Sequence, residues 1–157
     1  MRVEIDQSGK IGDTKVPTVL AFSNGQKYAI LIPTTTKRKS LEKLRRQGRS
    51  GRFLYSKLFA VGLYLLLKEH IHQLSELVID VEYPGWNAEI KLYLLNMLRR
   101  RGVTFDTSKI HFRHIGKKSR AHAKAIAVYK KMEEADKTIT LDEILTEYLK
   151  QTDRGPR

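Results

Sequence analysis

A chain of 157 residues is one domain's length and can bury a core without help from disulfides or a structural metal. It has no cysteine, which excludes disulfide frameworks, thiolate zinc sites, iron–sulfur clusters and cysteine nucleophiles, and fits a reducing, cytoplasmic location. Thirty Lys and Arg against seventeen Asp and Glu give a net charge of +13, which asks for a polyanionic partner: nucleic acid first, an anionic membrane surface second.

In chain order, Arg2 to Asp6 reads as a short strand. Val19–Phe22 and Tyr28–Ile32 are apolar runs joined across Asn24-Gly25, the strongest short hairpin signal. The stretch KRKSLEKLRRQGRSGR, with Gly48, Ser50 and Gly51, predicts a mobile basic loop. Phe53 to His72 is Leu-rich and apolar on most sides, a buried helix. Its apolar run Phe59 to Leu67 is too short to span a bilayer, and MRVEIDQSGK lacks the apolar stretch of a signal peptide, so no membrane is expected.

Leu77 to Glu82 (LVIDVE) suits a central strand, ended by Pro84-Gly85. Trp86 to Arg101 is a helix, with Ile90, Leu94 and Met97 on one stripe and Gly102 closing it. Lys109 to Ile115 alternates as a strand, and Ser119 to Met132 is an Ala-rich helix. Thr140-Leu-Asp-Glu143 is a capping box that opens a last helix to about Lys150. Residues 1–150 form a single domain and 151–157 a frayed tail. The order implies an α/β domain with a five-stranded mixed sheet, strands 1–3 antiparallel and strands 1, 4 and 5 parallel, flanked by helices.

The charge is uneven. Lys37 to Lys57 holds nine basic residues and one acid; Arg99 to Lys131 holds eleven and one. These blocks can grip phosphates, and the candidate contacts are Lys37, Arg38, Lys39, Arg45, Arg46, Arg49 and Arg52 in the first. In the second they are Arg100, Arg101, Lys117, Lys118 and Arg120.

Against that background the strand acids stand out. Asp6 ends strand 1, and Asp80 and Glu82 share one face of strand 4. If strands 1 and 4 are neighbours, Asp6 and Glu82 converge at the carboxyl ends, where open α/β sheets place their sites. Paired carboxylates fit a hard cation, Mg²⁺ or Mn²⁺, of the kind that supports phosphodiester hydrolysis. Other readings stay open: Asp6 as a turn-former before Gln-Ser-Gly, Glu82 as an exposed turn residue, and Asp80 as the ligand or a helper.

The element order, with an acid ending strand 1, resembles the ribonuclease H-like superfamily, and within it the layout of RuvC-type Holliday-junction resolvases. IDQSGKIG (Ile5 to Gly12) resembles their first-strand motif and matches Asp6 to its Asp; VIDVE matches Glu82 to their Glu. RAHAKAIAV (Arg120 to Val128) resembles their final-helix segment, and sets His122 on an Asp position. No acid lies between Lys109 and Met132, so the usual last-helix carboxylate is missing. The resemblance implies His122, or else His114, as the third metal ligand, since a terminal His serves so in some members of the superfamily. It also implies a Mg²⁺-dependent DNA nuclease: an exonuclease on single strands, as in archaeal enzymes of similar size, or a dimeric junction endonuclease. The expected partner is single-stranded or branched DNA, and a homo-oligomer is expected. High Lys and Arg with only three Asn points to a thermophile. The rival reading is a nucleic-acid-binding protein that keeps the fold and has lost catalysis.

Overall fold

The hairpin signal is met in the computed structural model, which describes residues 1–154. β2 (Thr18–Asn24) and β3 (Gln26–Ile32) pair antiparallel from Thr18↔Ile32 to Asn24↔Gln26, and Gly25 turns the chain at φ +84°. β1 (Arg2–Ser8) pairs antiparallel with β2 along its length, from Glu4↔Ser23 to Ser8↔Val19. On its other side it pairs parallel with β4 (Glu76–Asp80), from Arg2↔Glu76 to Ile5↔Ile79. β5 (Ile110–Arg113) is parallel to β4, and β6 (Lys137–Thr138) is parallel to β3. The sheet is therefore mixed and six-stranded, in the order β5-β4-β1-β2-β3-β6. The sixth strand, absent from the sequence expectation of five, is two residues long and too short to carry an alternation.

The basic stretch after Pro33 is a helix, α1 (Thr34–Arg46), and this corrects the expectation of a loop. Lys37, Ser40, Leu41 and Leu44 repeat at helical spacing and are buried, while Arg38, Lys39, Lys43, Arg45 and Arg46 lie outside. The break comes later, at Gly48 and Gly51, both at positive φ. α2 (Gly51–Leu67) is buried on nearly every side and ends five residues before the expected His72. α3 (Asn87–Arg100), α4 (Arg120–Tyr129) and α5 (Leu141–Arg154) follow. α5 opens on the expected capping box: the Glu143 amide donates to Thr140 Oγ1, and the Thr140 amide to Glu143 Oε1. It runs past Lys150; residues 155–157 of the expected tail lie outside the described residues.

Strand alternation divides the helices between two faces. Val3, Ile5, Leu20, Phe22, Ile30, Leu77 and Ile79 join the large core shared with α1, α2, α3 and α5. Gly62 lets α2 approach β2 closely, since a Cβ there would sit 2.6 Å from Leu20 Cδ1. Val19, Ala21 and Ala29 point the other way and pack on Ala125 and Val128 of α4. That second face carries the alternate residues Glu4 and Asp6 of β1 and Asp80 of β4.

Gly9 closes β1 at φ +81°, and a Cβ there would lie 2.0 Å from the Pro17 carbonyl oxygen. Gly25 has a similar φ but open space around it. Gly25→Ala should cost about 1 kcal/mol, the strain of a left-handed residue alone. Gly9→Ala should cost at least about 2 kcal/mol more, because backbone must move; urea denaturation of the two variants checks the order.

Candidate metal and nucleic-acid site

β1 stays paired with β2 through Ser8, whereas its pairing with β4 stops at Ile5↔Ile79. The next residue on each strand is an acid, Asp6 on β1 and Asp80 on β4. Asp6 is thus inside a strand, opposite Ala21 and only 6% exposed, which removes its reading as a turn-former. β4 ends at Asp80, so Glu82 lies two residues beyond the strand instead of ending it. The chain nevertheless turns Glu82 back: carboxylate oxygens of Asp6, Asp80 and Glu82 all lie within 4.8 Å of one another.

Each acid is anchored. Asp80 Oδ1 accepts the Ile115 amide at 2.9 Å, and Glu82 Oε2 accepts Gln7 Nε2 at 3.2 Å. Asp6 Oδ2 lies 2.6 Å from His122 Nδ1. An ionised carboxylate only accepts, so Nδ1 carries the proton of that pair and Nε2 is left on the outer side of the ring. Ser119 caps α4 through the Ala121 amide and donates its own hydroxyl to Glu4 Oε1 at 2.8 Å. α4 is thereby fixed over β1, with His122 in its first turn.

Burial pushes the Glu82 carboxyl up to about 8, and its hydrogen bond to Asp80 and the nearby charges of Asp80 and Asp6 push the same way. Lys10 opposes this. Burial also raises Asp6, against the hydrogen bond from His122. At neutral pH the cluster therefore keeps a proton among its oxygens. An all-oxygen donor set of this charge suits a hard divalent cation, which would replace that proton.

The third member of the cluster is thus Asp80, and His122 meets the site through Asp6. His114 is exposed just after β5 and is not among the clustered groups. Tyr83, beside Glu82, is packed on Phe59 and accepts the Ile11 amide, and burial pushes its hydroxyl up to about 12. Gln7 and Lys10 escape sequence reasoning, because neither residue type marks a site; only the contact with Glu82 reveals them. Arg113, in register with Asp80, is likewise found only through strand pairing.

The basic candidates divide. Lys117, Lys118 and Arg120 are exposed at the start of α4, near His122. Lys39 and Arg46 are exposed on α1, and Arg38 donates to the Thr14 carbonyl. Arg45 donates to Tyr55 Oη at 2.7 Å, Arg49 to Gln47, and Arg52 to the Pro84 carbonyl in the loop that follows Glu82. Lys37 is a correction: it is buried, donates to the Lys10 carbonyl and Thr18 Oγ1, and burial lowers it to about 8. Arg100 ends α3 and Arg101 follows it, about 20 Å along the helix from Asn87, and Arg101 pairs with Glu69.

No protein-family model, no curated protein and no solved structure matches this chain. Among the described residues no helix is long and apolar enough to cross a membrane.

The proton in the cluster has a thermodynamic signature. The native state holds Glu82 protonated to about pH 8, while an unfolded Glu releases its proton near 4.5. The native state thus binds more protons between these values, and metal-free stability should fall as pH rises from about 5 to about 8. Glu82→Gln should flatten that fall and raise the melting temperature at pH 8 by about 3 °C or more. Thermal scans across pH, without divalent ions, check this.

Proposed function

We propose that the protein is a divalent-metal-dependent nuclease with a ribonuclease H-like fold, acting on single-stranded or branched DNA. The observation that carries this reading is the cluster of Asp6, Asp80 and Glu82, held where β1 and β4 part at the carboxyl edge of the sheet. The strand order β5-β4-β1-β2-β3, with three antiparallel strands followed by parallel ones, supports the layout that the sequence resembles. Asp6, Asp80 and Glu82 would hold Mg²⁺ or Mn²⁺. When bound, such an ion activates water and offsets charge on a phosphodiester. His122 holds Asp6 in place, and Lys10 sets a cation beside Glu82. Lys117, Lys118, Arg120 and Arg113 bring positive charge to the same edge, where a phosphate backbone would run.

One observation favours a second reading, a binding protein without catalysis. α4 offers a histidine where the resembled enzymes have a carboxylate, so the cluster carries one acid fewer. Asp80→Asn and Asp6→Asn separate the two. For a nuclease, each should reduce Mn²⁺-dependent cleavage of labelled single-stranded DNA by at least about a hundredfold and leave DNA affinity equal or higher, because a repelling charge is gone. A parent protein that binds DNA and cleaves none with Mg²⁺ or Mn²⁺ supports the second reading. In either case binding should weaken steeply with salt; about six neutralised phosphates give a log–log slope near −4 on single strands. A slope near zero removes nucleic acid as the partner.

A further inference from the structure

Phe53 is the only Phe, Tyr or Trp among the described residues that is left exposed, at 47%. It sits in the first turn of α2, braced by near-perpendicular contacts with Trp86 (6.2 Å, 77°) and Tyr93 (6.0 Å, 88°). Its neighbour Arg52 lies over the Trp86 ring at 5.6 Å. The Arg52 guanidinium has further N–H groups beyond the one it gives to the Pro84 carbonyl. No acid occurs between Lys43 and Lys68, so nothing in this stretch of chain neutralises the array.

The array adjoins the acid cluster. Arg52 is bonded to the Pro84 carbonyl, and Trp86 is four residues after Glu82, at most about 14 Å along the chain. A polyanion lying at the carboxylates reaches this face within a few nucleotides.

We propose that the face formed by Arg52, Phe53 and Trp86 binds an unpaired stretch of nucleic acid, with one base stacked on Phe53 and the adjoining phosphate on Arg52. Bases in a duplex are already stacked on both sides; only an unpaired base offers a ring face to Phe53. Charge argues against a second copy of this chain as the occupant, since each carries +13 and this face is itself basic. The proposal rests on the nucleic-acid part of the function above and not on the metal.

The test uses the full chain in EDTA, so that cleavage and metal play no part. The probes are an oligothymidylate of about 12 nucleotides, within the span such sites occupy, and a duplex of the same length. Trp86 is the only tryptophan, so its fluorescence reports on this face directly. The single strand should quench Trp86, and Phe53→Ala should weaken single-strand binding about tenfold while changing duplex binding less than twofold. Phe53→Tyr should keep parental affinity, which guards against a folding defect in the Ala variant. Unchanged single-strand affinity in Phe53→Ala, or equal loss on both probes, overturns the proposal. A loss of self-association in Phe53→Ala without loss of single-strand binding overturns it in favour of a dimer contact. Binding to duplex but not to single strand overturns it and leaves the nucleic-acid reading standing; binding to neither overturns both.

Discussion

Asp6, Asp80 and Glu82 repel one another, and the fold keeps their oxygens within 4.8 Å all the same. Each is held by a group that would lose a partner if the acid moved: Asp6 by His122, Asp80 by the Ile115 amide, Glu82 by Gln7. A proton on Glu82 relieves the repulsion in the metal-free protein, and a divalent cation would relieve it more fully. The geometry behind this is a single divergence. β1 follows β2 for three residues after it leaves β4, and the acids line the gap.

The rest of the molecule divides around that gap. One face of the sheet carries four helices and the large apolar core. The other carries α4 over β1, β2 and β3, while the same face of β4 and β5 bears polar groups in sequence: Glu76 with His111 at 2.6 Å, then Asp80 beside Arg113. The high net charge is also divided. Lys37 and Lys57 are inside, Lys57 with its ammonium 4.4 Å from the Tyr148 ring centroid, and burial lowers both to about 8. They are core residues with polar tips, and the cations available to a polyanion are those on the rims.

Most strands and helices could be read from the sequence because their apolar periods are strong, as in the runs of β2, β3 and α2. α1 was hidden because two of its four buried positions are Lys37 and Ser40, which break the apolar stripe while keeping its spacing. Asp6 and Glu82 were legible as a pair through strand parity and the neighbourhood of strands 1 and 4. The equal standing of Asp80 was not, since it depends on where β4 ends. His122 enters through the resemblance as a ligand, and the structure shows its Nδ1 contact to Asp6, which the sequence alone did not give. Gln7 and Lys10 carried no signal, because their part depends on a loop turning back over the strand ends. Arg100 and Arg101 are candidate phosphate contacts by charge alone, and they lie at the far end of α3 from Asn87.

The centre of the sheet joins partners at very different distances along the chain. β1 meets β2 across a loop of nine residues, but it meets β4 only after residues 9–75 have been placed. Closing that longer loop costs more entropy and comes after the local hairpins. In a chain that has not yet closed β4 onto β1, Asp6 has β2 as its strand neighbour while Asp80 and Glu82 have not joined it. At that stage there is one carboxylate, no repulsion to relieve and no cage for a cation. The three-carboxylate cluster therefore belongs to the finished sheet alone.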